Sequence, residues 1–277
     1  DSDIDNVVSL IKLTGALPKH IDLTSLLNEA KAQLKNEADY LQEARFLSTY
    51  RANLANDSHF VVPYVVDELT DQNILAMEYI EGLPITDVSN MTSDVIDAVC
   101  TQLMRLTYEE LFKHKLMQSD PNFANYLYQA DSKKIVLLDF GACRDISQNT
   151  SFHYLAMADA MQRQDKKDMQ SALFALGLVD NGMSDYAIDI VLNACLEASA
   201  CLQSEHGYNL KQEQLIKRIQ EVSMPLVMDK TAVASPVFDV ALVNRKITGM
   251  ILLANKLGAT LDFKGVLATY LAQKDDN

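Results

Sequence analysis

The sequence predicts an α+β fold in two parts, a small mixed part over residues 1–82 and a mostly helical part over 83–277. Three observations lead there. Apolar residues recur at helical spacing near both ends of the chain and along most of its second part. Between them the pattern turns β-rich at 60–66 and 74–80, then breaks at Glu81-Gly82-Leu83-Pro84, the expected boundary. One tight hairpin is embedded in the second part. With 277 residues, 48% hydrophobic and 22% charged, the chain can bury substantial cores in both parts.

The elements follow in order. Ile4, Val7, Val8 and Ile11 give a first helix over 4–14, closed by Gly15 and Pro18. Asp22 or Thr24 can cap a second helix over 25–52, whose stripe includes Leu27, Leu34 and Leu41. Glu37, Asp39 and Glu43 lie on it; by spacing alone such acids form a solvated face. The strands at 60–66 and 74–80 are joined by the turn Thr70-Asp71-Gln72-Asn73, and Pro63 suits an edge or a bulge. Val95, Val99, Leu103 and Leu106 mark a helix over 92–114. His114 ends it, where a cation is favourable. Beyond Arg144 the pattern is helical at 150–176, 184–204, 210–222 and 237–273. Cys143, Met157, Met161 and Met169 read as packing residues.

Net charge is −14, which gives no support to nucleic-acid binding. An acidic chain that handles an anionic ligand must gather its cations locally or use metal ions. The four cysteines form no C-x-x-C pair and read as reduced thiols, which suits a cytosol-like compartment. No apolar run approaches the roughly 18 residues that cross a bilayer. The chain opens on Asp1-Ser2-Asp3 without Met, as a processed or an artificially chosen start would, so its first residues carry no reading of targeting.

The chemistry is concentrated at 114–125 and at Asp139-Phe140-Gly141. Asp120 and Asn125 are spaced D-x-x-x-x-N. Tyr126-Leu127-Tyr128, the polar turn 129–134 and the apolar run 135–138 then lead as a hairpin into Asp139. A carboxylate, a carboxamide and a second carboxylate are thereby delivered by one loop and the strand pair it enters. Protein kinases build their metal-nucleotide site in this way. Hard Mg²⁺ takes carboxylate and carboxamide oxygens and keeps several waters. Asp139 suits the principal metal ligand and Asn125 a neutral oxygen ligand, while Asp120 is left to orient or deprotonate an acceptor. Either motif alone is a weak signal; their order and separation make a kinase-like two-lobed fold the expectation.

Further segments carry a closer resemblance. Glu37-Ala38-Asp39, Glu43, Met77-Glu78-Tyr79-Ile80-Glu81-Gly82, Gln118-Ser119-Asp120-Pro121-Asn122-Phe123-Ala124-Asn125 and Leu137-Leu138-Asp139-Phe140-Gly141-Ala142-Cys143-Arg144 resemble the UbiB family of atypical kinases, also called AarF-domain-containing kinases. The resemblance covers nearly the whole chain. It implies binding of ATP with Mg²⁺, ATPase activity in place of ordinary protein phosphorylation, and support of ubiquinone (coenzyme Q) biosynthesis at a membrane surface. Asp120 would match the catalytic-loop Asp, Asn125 and Asp139 the metal ligands, and Glu43 the helix glutamate that pairs with a strand lysine. Glu37 and Asp39 would be the family's E-x-D element at the nucleotide site. Met77, Glu78 and Tyr79 would form the hinge whose backbone meets the adenine. Quinone-precursor lipids and other ubiquinone-biosynthesis proteins are the implied partners. The implied location is cytoplasmic and peripheral at the inner membrane, or the mitochondrial matrix in a eukaryote.

Two departures accompany the resemblance. Gln118-Ser119 stand where ordinary kinases carry His-Arg, and no A-P-E follows Asp139-Phe140-Gly141. The family's K-x-G-Q element, Ala-rich loop and strand lysine should precede the first helix, so the first part reads as a partial lobe. These 277 residues are therefore expected to bind Mg-ATP weakly or not at all. Two other classes share parts of the pattern: a small-molecule phosphotransferase of the aminoglycoside- or choline-kinase kind, and a pseudokinase scaffold.

Overall fold

A carboxylate that can reach back to a free backbone N–H starts helices, and Asp39 does so. The computed structural model describes residues 39–228 and 238–272. In it Asp39 takes a non-helical backbone, accepts from Gln42 N at 3.0 Å and caps α1 (Tyr40–Asn53). The helix expected over 25–52 is thus corrected at Asp39, which is non-helical, and the described helix starts at residue 40; the part of that expectation before residue 39 lies outside the described residues. Glu37 and the expected first helix lie outside the described residues.

The described residues form two compact units. The first comprises 39–55, Val62–Ile80 and Asp139–Ala142; the second comprises Asn56–Val61, Glu81–Leu138 and the described residues from Cys143 onward. In the first unit, 64–66 and 76–78 pair as an irregular hairpin. Val66 N donates to Ala76 O at 2.8 Å, Glu78 N donates to Tyr64 O at 2.9 Å, and Val65 bridges Met77. Asp71 closes the turn by accepting from Asn73 N and Ile74 N. Neither expected strand is regular throughout. Pro63 has no N–H to give a ladder, and regular strand is confined to β1 (Phe60–Val61), which belongs to the second unit.

The second unit carries β2 (Leu83–Pro84), α2 (Ser93–Tyr108) and β3 (Leu116–Gln118), then the hairpin β4 (Tyr126–Gln129) and β5 (Lys134–Leu137). β1, β5, β4 and β2 form one sheet in that order, β1 running parallel to β5. The hairpin matches its expectation, with Tyr126 opposite Leu137 and Gln129 opposite Lys134. Its turn is closed by Lys133 in the left-handed region. The helix over 92–114 ends earlier than expected: after Tyr108 one π-helical turn, Glu109–His114, runs to Lys115, which is left-handed at φ 51°. Such turns redirect a chain at functional sites, and this one feeds β3 and the loop beyond it. β3 pairs with β6 (Cys143–Asp145), so both flanks of the hairpin are tied together.

Two of the expected long helices are broken in two. α3 (Gln148–Arg163) stops at Gln164, φ 55°, and Asp165 caps α4 (Lys166–Ala175) by accepting from Lys167 N and Asp168 N. α5 (Asp185–Gln203), β7 (Tyr208–Asn209) and α6 (Leu215–Ser223) follow. α7 (Phe238–Leu257) ends at Gly258, φ 73°, where β8 (Thr260–Leu261) turns back to pair β7 before α8 (Phe263–Ala272). A left-handed residue and a cap each interrupt an otherwise continuous apolar period, which periodicity alone does not register. Met157, Met169, Leu173, Ala187 and Val243 share one buried core. Met161 lines an apolar cavity of about 280 Å³ with Tyr108, Tyr154 and Met157. Cys100 and Cys143 are buried free thiols.

Candidate functional site

Within the second unit, the loop after β3 is shaped by its own polar side chains. Asn122 Oδ1 accepts from Ala124 N at 3.1 Å and starts the short 3₁₀ turn Phe123–Asn125. Asp120 Oδ2 accepts from Asn125 Nδ2 at 3.0 Å. Its Oδ1 accepts from Asn122 N at 3.3 Å and from Arg245 Nη2 at 3.0 Å. The D-x-x-x-x-N pair is therefore brought together directly. With its nitrogen committed to Asp120, the Asn125 carboxamide keeps its oxygen for a cation. The Asn125 backbone oxygen accepts from Leu138 N at 3.1 Å, which fixes the loop to the end of the hairpin.

Beneath this loop lies a buried ionic cluster. Lys246 and Glu110 are each 1% exposed, and Lys246 Nζ sits 3.3 Å from Glu110 Oε2. Lys246 Nζ also donates to Tyr126 OH at 3.0 Å and to Gln118 Oε1 at 3.2 Å, and Tyr126 OH donates to Gln118 Oε1. Burial alone would push the Lys246 ammonium down, but the Glu110 carboxylate and Tyr126 more than reverse it and hold it up. Burial raises the Tyr126 phenol, with Lys246 opposing. His114 is held below its ordinary value, by burial first and then by Lys113, against the pull of Glu109. Burial and Lys113 thus work against the charge that its place at a helix end favours.

Within the first unit, Phe140 is buried and stacks 4.9 Å from the Tyr50 ring of α1, anchoring the Asp139-Phe140-Gly141 turn. Asp139 Oδ1 accepts from Gly141 N at 2.9 Å. Glu43 Oε1 accepts from Phe140 N at 3.3 Å. The Glu43 carboxyl is held above its ordinary value by partial burial first and also by the Asp139 charge, while the Phe140 and Gly141 amides pull the other way. A carboxyl raised in this way beside a second carboxylate forms a site that a cation would relieve. The donor set is hard oxygen, which fits Mg²⁺. Glu43 is expected to pair with a strand lysine; here it faces the turn's amides.

The remaining described residues of the expected site have their own placements in the first unit. Asp39 is the cap of α1. Glu78 Oε2 accepts from Tyr64 N at 3.4 Å and lies 3.8 Å from Arg51 Nη1. The Tyr79 side chain is 85% exposed. Sequence reasoning missed Arg245, Lys246 and Glu110. The available signal was an adjacent Arg–Lys pair inside the apolar run 240–254; periodicity placed it on a helix and gave no partner.

Among the described residues, no group of three or more His, Cys, Asp or Glu side chains is placed to hold a metal, and no helix is long and apolar enough to cross a membrane. Residues 1–173 match the ABC1 atypical kinase-like domain. The chain is 31% identical over 264 residues to the rat protein named atypical kinase COQ8B, mitochondrial, covering 93% of this chain and 48% of that protein. It is 32% identical over 265 residues to atypical kinase COQ8, mitochondrial, of Saccharomyces cerevisiae, covering 94% and 52% respectively. The chain spans about half the length of these relatives. Its fold is similar to that of a Mycobacterium tuberculosis protein solved as the Rv3197–erythromycin complex, with a TM-score of 0.76 at 20% identity over 95% of this chain and 66% of that one.

Proposed function

Since the chain belongs to the ABC1 atypical kinase-like family, we propose that it is an atypical kinase of the UbiB type that binds ATP with Mg²⁺ and hydrolyses it or transfers its phosphate in support of ubiquinone synthesis. The observation that carries the reading is the Glu43–Asp139 pair at the Asp139-Phe140-Gly141 turn, with Glu43 held above its ordinary value beside a second carboxylate. Asp139 and Asn125 would hold the metal, each with an oxygen to offer. Bound Mg²⁺ supplies neutralisation of phosphate charge. Asp120, fixed by Asn125 and Arg245, orients the acceptor hydroxyl or water. Glu78 and Tyr79 would flank the nucleotide through the backbone of the hinge, and Glu37 and Asp39 would be the E-x-D element that meets the active site. Quinone-precursor lipids at a membrane surface and other ubiquinone-synthesis proteins are the proposed partners. The relatives' printed names include "mitochondrial"; the matrix face of the inner membrane is the corresponding location in a eukaryote.

A complementation strain tests this reading. Expressed from its own start codon in cells lacking the gene, wild type restores ubiquinone content and Asp139→Asn does not. Full restoration by D139N at equal protein level would remove catalysis from the account and leave a scaffold.

A further inference from the structure

The loop 120–125 carries no cation of its own: Pro121, Asn122, Phe123 and Ala124 separate Asp120 from Asn125. Its cations come from α7, more than a hundred residues away. Arg245 Nη2 donates to Asp120 Oδ1 at 3.0 Å. Lys256 Nζ lies 5.6 Å from the centroid of the Phe123 ring. Between them Gly249 meets Pro121 so closely that a Cβ would overlap the Pro121 Cβ and stand 3.1 Å from its Cγ. Positions 245, 249 and 256 are i, i+4 and i+11, which puts all three on one face of a helix. One face of α7 thus lies along the loop.

Lys246 sets the rotation of that face. Its buried ammonium reaches Glu110, Gln118 and Tyr126 under the loop, and turning the helix would leave that buried charge without its partners, which is strongly destabilising. Arg245, one residue earlier, is thereby placed beside the loop, where its side chain is 45% exposed. It uses one N–H group on Asp120; among the described residues its other N–H groups have no partner. A planar guanidinium with free donors matches phosphate oxygens. In a chain of net charge −14, a cation held this firmly at the acceptor-orienting Asp is the local concentration of positive charge that an anionic ligand requires.

We propose that Arg245 binds the terminal phosphate of the nucleotide, presented by α7 in place of a cation within the catalytic loop itself. The inference rests on the nucleotide-binding reading above. Its test compares the affinities of Mg-ATP and Mg-ADP for the full encoded protein, because ADP lacks the terminal phosphate. Arg245→Ala should weaken ATP by about tenfold or more and leave ADP unchanged, and Arg245→Lys should recover part of the loss. If R245A keeps the wild-type ratio of the two affinities, or weakens both equally, the assignment falls while nucleotide binding stands. If wild type binds neither nucleotide, the assignment falls together with the reading beneath it. Should R245A fold poorly in thermal melts, Arg245→Gln, which keeps a donor without the charge, decides on the same ratio.

Discussion

Glu43 sits partly out of water next to Asp139, and its carboxyl is held above the ordinary glutamate value. A carboxyl raised in this way is penalised when charged. Its contribution to stability is fullest below the ordinary value, near 4.3, and is lost as pH rises through the raised one. Glu43→Gln carries no charge to penalise. Wild type should therefore lose stability relative to E43Q as pH rises from about 4.5 to about 7.5, read as thermal midpoints of the two proteins. A difference that stays constant over that range would show that the carboxyl is not strained by its neighbours. At this scale the sequence is informative where the chemistry is local. Asp120, Asn125 and Asp139 are legible because their spacing is fixed by one loop and one hairpin. Arg245 is not, because its partner lies 125 residues away and neither residue type nor period names a partner. His114 is hidden for a related reason: the burial that pulls it below its ordinary value is not legible from its place at a helix end.

At the scale of elements, α7 is the helix that shapes the loop. Gly249 ordinarily weakens a helix by about 1 kcal/mol relative to Ala, so Gly249→Ala on a free helix would stabilise. Here the added methyl overlaps Pro121. G249A should cost about 1–3 kcal/mol net in urea unfolding, and the amides of 119–125 should exchange faster with solvent. A variant as stable as wild type, with unchanged exchange in that segment, would mean that α7 does not hold the loop. The hairpin 126–137 is readable because two β-rich runs flank a polar turn of matching length. The helices at 150–176 and 237–273 each hide a break, since Gln164 takes a left-handed backbone that its residue type does not announce, and the apolar period resumes in phase after Gly258. Strands 60–66 and 74–80 shrink because Pro63 interrupts the ladder and only the turn at Asp71 is locally encoded.

At the scale of the whole molecule, an acidic chain of the ABC1 atypical kinase-like family holds the polar side chains of its candidate site in two small sets, Glu43 with Asp139 and Asp120 with Asn125. The second set is braced by the buried Lys246–Glu110 pair and by Arg245. The fold class follows from the order of patterns along the chain. The family follows from motifs spread across it, and the match to COQ8 proteins over more than nine-tenths of the chain bears that out. The central claim is that these carboxylates serve a magnesium–nucleotide complex. Calorimetric titration of ATP into the full encoded protein, with and without Mg²⁺, tests it most directly when repeated with Asp139→Asn. The account predicts heat of binding for wild type only when Mg²⁺ is present, and weak or absent binding for D139N. Binding that is indifferent to Mg²⁺, or equal in wild type and D139N, would contradict it.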